Sequence, residues 1–226
     1  MIFGKDEKTR WEEAQKNEEL HHRKHSIKYK NREERRNHFS KFLKERFQLD
    51  FGFFEGKDVL EVGCGTTGMI YYLDEAKSRI GIEPMNIDSI IEDWQKQFVK
   101  KGIGEEIPFE KNSFDIVLVL NSLDHVLNPE KVIKECHRVL RKEGQLFVHV
   151  EVLSPKAIFF RPLLNRFDRP HPYHFITKEY LNMLSTFDLI YQMEKKDTFS
   201  RPNYFHERIL NFLFQELHLI MKKQSC

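Results

Sequence analysis

The stretch VLEVGCGTTG, residues 59–68, decides how the rest of the chain is read. DVLEV is a short apolar run of strand length, and Gly63, Gly65 and Gly68 follow it at once in the form G-x-G-x-x-G. Glycines let the backbone turn sharply and come close to a ligand with no Cβ in the way. TGMIYYLDEA, which comes next, has the texture of a helix. A glycine-rich turn between a strand and a helix is the setting in which this pattern holds an adenosine-type cofactor. Gly63, Cys64, Gly65, Thr66 and Gly68 are therefore candidate cofactor contacts. The pattern alone does not say which cofactor.

Further along, RIGIE (residues 79–83) predicts a second strand, ended by Pro84. Residues 86–100 predict a helix with Ile87, Ile90, Ile91, Trp94 and Phe98 on one face. FDIVLVL (114–120) is a continuous apolar run, typical of a strand buried on both sides. Asn128-Pro129 is a helix start, with Asn as the cap and Pro at the first helical position. Gly144 is read as the end of that helix and QLFVHVEV (145–152) as the next strand. Toward the end, 177–186 predicts a helix, FDLIYQME (187–194) a strand and ILNFLFQELHLIMKK (209–223) a closing helix. Strands alternating with helices imply an α/β fold: a doubly wound, Rossmann-like, mostly parallel sheet of about seven strands. Its ligand site belongs at the carboxyl ends of the strands.

Residues 1–50 have a different texture, poor in Gly and Pro and rich in charge, with Phe39, Phe42, Leu43 and Phe47 at helical spacing. They are expected to form an N-terminal helical cap, with the cofactor-binding domain over 51–226. Composition adds exclusions. No run approaches the roughly 18–20 apolar residues needed to cross a bilayer. The opening MIFGKDEKTRWEEAQ has no apolar core of a signal peptide. Cys64, Cys136 and Cys226 have no paired spacing, which fits a reducing cytoplasm. The formal charge is +2, and the basic run KHSIKYKNREERRNH is broken by Glu33 and Glu34, so a nucleic-acid partner is not expected.

Two carboxylates narrow the cofactor. Glu83, at the end of the second strand, can accept hydrogen bonds from both ribose hydroxyls. Glu61 stands two residues before the first glycine, giving E-x-G-x-G. A carboxylate there favours a ligand that brings an ammonium and a sulfonium, and disfavours one that brings a pyrophosphate. With VLEVGCGTTG, GIEP and the run from Gly104 to Val148, the chain resembles the class I S-adenosylmethionine-dependent methyltransferases, in particular the small-molecule group called type 11. The resemblance covers roughly residues 57–152. It implies S-adenosylmethionine as cofactor, held by the loop and Glu61, by Glu83 with Pro84, and by Asn121 at the methionine end. Members of the family often carry an acidic residue and Ala where this chain has Ile103 and Gly104, so contact with the adenine amino group is expected to pass to Glu105, to backbone or to water. Lys142-Glu143 replaces the family's Pro-Gly before the fifth strand.

Candidate catalytic residues lie in two places. Asp124 and His125 follow the fourth strand, where the methyl group would point; one can orient a hydroxyl and His125 can take its proton. The competing reading is that His125 packs under the cofactor and Asp124 caps a turn. His171, Tyr173 and His174, in RPHPYHFIT, lie in a connection that faces the substrate in related folds. They either grip an acceptor or supply a base, or they are packing residues. The cluster His21, His22 and His25 lacks a partner Cys or carboxylate at ligand spacing, so no metal site is expected. Trp11, Tyr29, Arg35 and Arg36 are expected to form a lid over the cofactor edge. No N,P-P-aromatic signature and no Pro-Cys nucleophile follows the fourth strand, which leaves a small-molecule acceptor, such as a sugar or polar metabolite, methylated at oxygen or nitrogen. The alternative is a protein that binds the cofactor without turnover.

Overall fold

The computed structural model describes residues 31–167, 174–195 and 212–224. It contains a seven-stranded sheet in the order β3-β2-β1-β4-β5-β7-β6. The strands are β1 (Asp58–Val62), β2 (Ser78–Glu83), β3 (Val99–Lys101), β4 (Phe114–Leu120), β5 (Leu140–Leu153), β6 (Phe187–Lys195) and β7 (Phe214–Lys223). Pairing is parallel from β3 across to β5, and β7 runs antiparallel to both β5 and β6. The sheet order reverses at β1, where β4 rather than β2 lies on its other side, so the carboxyl ends of β1 and β4 flank the crevice in which such folds bind ligands. The expected doubly wound α/β architecture is the one observed.

Helices cover both faces. On one, α3 (Pro129–Val139) and α5 (Thr177–Met183) pack on the sheet through Val132, Ile133, Cys136, Val139 and Tyr180. The Asn128 side chain accepts from the Lys131 N–H at 3.0 Å, the cap expected there. On the other face, α1 (Arg32–Phe47) buries Leu43 and Phe47 against Phe54, Ile70, Leu73 and Phe147. Phe39 and Phe42 are partly buried at the same edge. Asn31 caps α1 by accepting from Glu34 N–H at 2.8 Å. The remaining helices are short: α2 (Asp93–Lys96) and α4 (Arg161–Phe167). Among the described residues no helix is long and apolar enough to cross a membrane.

Four local expectations are corrected. After the glycine turn the chain makes only a 3-10 helix, Met69–Tyr72, whose residues are buried all round rather than along one stripe. The helix expected over 86–100 shrinks to α2. The Ile90 and Ile91 amides bond back to the Ile87 carbonyl in a single turn, and the chain then leaves the helix at once to form the edge strand β3. Strand β5 starts at Leu140, directly after α3, so Gly144 lies inside it. The closing segment is a strand. β7 lies between β5 and β6 and buries both faces, so its apolar run lacks the alternation that marks a half-exposed strand, and such a run is ambiguous with a buried helix.

Candidate active site

The carboxyl ends of β1, β2 and β4 open into a cavity of about 410 Å³, within the roughly 300–1,000 Å³ of small-ligand sites. Its floor is the glycine turn. Gly63 has φ +71°, and a Cβ there would stand 2.6 Å from Ser122 Cβ. Gly65 has φ +53°. A Cβ on Gly68 would meet the Cys64 carbonyl at 2.5 Å and Glu61 Oε2 at 2.8 Å. At Gly63 and Gly68 the turn closes only with glycine, and the left-handed backbone of Gly65 favours one. Further bonds hold it from behind. Tyr71 Oη donates to the Gly65 carbonyl at 2.8 Å, Gln95 Nε2 to that of Thr66 at 3.1 Å, and Ser122 Oγ to that of Val62 at 2.8 Å. Cys64 is buried against Gly81, and burial pushes its thiol well above the ordinary range, so it is a packing residue of the turn.

The two carboxylates occupy the ends of β1 and β2. Glu83 Oε2 accepts from the Gly65 N–H at 2.8 Å and Oε1 from the Met85 N–H at 3.1 Å. A carboxylate has about four lone-pair sites, so these bonds fix its orientation while each oxygen can accept again. Glu61 Oε2 accepts from the Ile70 N–H at 2.7 Å, and Oε1 lies 3.4 Å from the Met69 N–H. Burial pushes Glu61 up to about 7, against those two amides and the Arg35 charge, which favour the ionised form. An acid poised near neutrality in a cavity answers to a cation by ionising, and the resulting negative acceptor suits an ammonium and a sulfonium.

The remaining candidates separate. Pro84, Gly104, Glu105, Asn121 and His125 line the cavity with the loop residues. Glu105 Oε1 accepts from the Leu127 and Asn128 N–H groups at 2.8 and 3.0 Å, which ties the entry of α3 to the cavity wall. Thr66 is buried in the turn but does not line the cavity. Asp124 is not part of the lining either. It is buried with Oδ1 lacking a hydrogen-bond partner, close enough to Tyr180 for its charge to push that phenol up further after burial, and 3.7 Å from His125 Nε2 through Oδ2. His174 is buried with its ring tilted against Phe214, away from the cavity lining. His171, Tyr173, Trp11, Tyr29, His21, His22 and His25 lie outside the described residues. Arg35 reaches the loop, donating to the Thr67 carbonyl at 2.9 Å. Arg36 instead pairs with Asp74 and Glu75 behind it.

The cavity residues not anticipated as site residues include His38, Phe39 and Phe42 of α1, Leu120 of β4 and His149 of β5. His149 carried a signal. It sits between valines in VHV, a polar residue in a strand that is buried on both faces, and such a position needs a partner or a task.

Comparison with known proteins agrees with this geometry. The methyltransferase-domain family of type 11 matches residues 60–148. The ubiquinone biosynthesis O-methyltransferase of Pseudomonas paraeruginosa (strain DSM 24068 / PA7) is 34% identical over 121 residues, 46% of this chain and 49% of that protein. The chain thus spans about half the length of the curated relatives it matches. Among solved structures, geranyl diphosphate C-methyltransferase from Streptomyces coelicolor A3(2) aligns with a TM-score of 0.63 at 13% identity, over 83% of this chain and 79% of that one. The 4+2 cyclase SpnF gives 0.63 at 17% identity, over 84% and 81%. At such identities the likeness concerns the fold alone, and the cyclase shows why. The matched stretch carries Glu61, the glycine turn, Glu83 and His125 together, and over residues 60–148 the chain is similar to the methyltransferase-domain family of type 11.

Proposed function

We propose that the chain binds S-adenosylmethionine in this cavity and transfers its methyl group to a small-molecule acceptor. The observation that carries the reading is the pair Glu61 and Glu83, two buried carboxylates flanking a turn that closes only with glycine. Glu83, oriented by the Gly65 amide, suits the ribose, Glu61 suits the cationic methionine end, and the wall at Gly104 and Glu105 suits the adenine. When bound, the cofactor supplies a methyl group already activated by its sulfonium. The protein's part is then alignment and exclusion of water, and orientation of this kind contributes ~7–11 kcal/mol. Phe39, Phe42 and Leu120 line the same cavity and give the acceptor a largely apolar wall, which favours an acceptor with an apolar body over a sugar. The O-methyltransferase relative supports oxygen as the atom methylated.

Calorimetry with S-adenosylhomocysteine, followed by mass spectrometry of a metabolite pool incubated with labelled S-adenosylmethionine, tests the reading. Binding with label transfer to a small molecule is the expected result. Binding without transfer to any fraction would favour a protein that holds the cofactor as a regulatory partner. Absence of binding would remove both readings.

A further inference from the structure

The pair β5 and β7 carries a polar cluster for which the cofactor reading has no use. His149 and His218 are direct partners in the antiparallel register. Their rings stack, with centroids 4.7 Å and planes 6° apart. His218 Nε2 lies 3.1 Å from Glu216 Oε2, and Arg46 Nε of α1 lies 2.6 Å from the same oxygen. Phe42 stands edge-on to His149 at 5.2 Å, and Phe47 edge-on to His218 at 5.6 Å. His149 alone of these histidines and charged groups lines the cavity, and its Nδ1 is buried with no hydrogen-bond partner. Its carbonyl accepts from the Asn121 N–H at 2.7 Å, which places the residue beside the turn that follows β4.

His149, Glu216 and His218 also have the composition of a two-histidine, one-carboxylate metal triad, with ligand atoms within 4.8 Å of one another. The geometry argues against that use. An imidazole binds a metal in its ring plane at roughly 2.0–2.1 Å, and two stacked parallel rings share no such point. Arg46 already sets a positive charge on the oxygen a metal would take. What the cluster does offer is a neutral imidazole, His149, stacked on a second one, His218, that the Glu216 carboxylate holds.

We propose that His149 is a catalytic residue that accepts the proton of a hydroxyl acceptor, with Glu216, His218 and Arg46 as positioning residues; this rests on the methyl-transfer reading of the cavity. The hydroxyl oxygen forms its bond to the methyl carbon as the carbon–sulfur bond breaks with its electron pair to sulfur. The hydroxyl proton passes to the imidazole, so the positive charge leaves the sulfonium and ends on His149, within reach of Glu216. Burial first, and then the His218 charge, push His149 down to about 3; the Glu216 charge opposes the shift and Arg46 adds to it, and the imidazole is neutral near pH 7. A weak base suffices, because an oxygen that is taking on a methyl group turns its proton strongly acidic. An amine acceptor already deprotonated needs no such residue, which points the site toward hydroxyls.

The test uses the full chain, S-adenosylmethionine and a panel of phenols, alcohols and amines. Wild type is expected to methylate hydroxyl members of the panel. His149→Ala should lower kcat by ~10²–10⁴-fold with KM little changed, and free imidazole should restore part of the loss. Glu216→Gln should lower kcat by about tenfold and leave the residual rate insensitive to imidazole. S-adenosylhomocysteine affinity, read by calorimetry, should stay within about threefold of wild type in both variants, which also shows that they fold. Four outcomes would overturn the assignment: transfer confined to amines, no transfer to any hydroxyl by protein that binds S-adenosylhomocysteine, full rates in His149→Ala, or activity abolished by a chelator and restored by Zn²⁺. Wild type that does not bind S-adenosylhomocysteine would instead overturn the cofactor reading beneath it.

Discussion

One end of the cavity is built from neighbours in sequence: Glu61, three glycines and, one strand later, Glu83. The other is assembled from afar, with Phe42 from α1, His125 after β4, and His149 in β5 braced by His218 from β7. The first end is rigid because its backbone has no alternative. Positive φ angles and Cβ approaches under 3 Å leave the turn a single shape. The second end is rigid because side chains from separate elements pack on one another. A backbone-built end constrains which cofactor enters, whereas a side-chain-built end can change its acceptor by a few substitutions without disturbing the turn.

This contrast can be broken at its strongest point by Gly63→Arg. A Cβ 2.6 Å from Ser122, on a residue with φ +71°, forces the turn open, and S-adenosylhomocysteine binding should fall by more than ~100-fold in calorimetry while the circular dichroism spectrum persists. Glu83→Ala removes the acceptor for the Gly65 amide as well as for the ribose. Hydrogen bonds to charged groups contribute about 1.5–3 kcal/mol, so a loss of about 10- to 100-fold in affinity is expected. Glu61→Gln should produce an effect about tenfold in size but marked by its pH dependence. Cation binding requires the ionised form, so wild-type affinity for S-adenosylmethionine should weaken as pH falls through about 7, and the variant should be flat. Stability has the opposite sign. The native state holds a proton that the unfolded chain has released between pH 4.5 and about 7, so wild type loses stability as pH rises across that window, by about 3 kcal/mol, and the variant does not. Thermal melts at pH 5 and pH 8 check this. The smallest effect belongs to Asp124→Asn. Asp124 faces Tyr180 rather than the cavity, so kcat should change less than about threefold, and a larger loss would move the acceptor end toward Asp124 and His125.

The contrast also explains what could be read in advance. The strand–turn–strand run from Asp58 to Glu83 is legible because its chemistry is local: Gly63 stands where φ is +71° and a Cβ would meet Ser122, and the carboxylates Glu61 and Glu83 stand near the ends of β1 and β2. The sheet is legible through the apolar runs of β1, β4 and β5. The segment 86–100 misled because Ile87 and Ile91 at helical spacing are satisfied by one turn. β7 misled because a strand buried on both faces loses its alternation. His149 escaped for a related reason. Its meaning depends on His218, 69 positions away, and only the antiparallel register brings them together. Asp124 and His125 follow β4 as a pair and remain 3.7 Å apart, but of the two only His125 lines the cavity, a difference that sequence adjacency does not reveal.

The bond from Arg35 to the Thr67 carbonyl makes α1 a thermodynamic participant in the glycine turn. A ligand that tightens the turn must, by reciprocity, tighten the docking of α1, and loosening α1 must weaken the ligand by the same factor. Phe39 and Phe42 of that helix border the cavity, so a ligand held there is coupled to the docking of α1. Amide exchange along residues 32–47 is then expected to slow when S-adenosylhomocysteine binds.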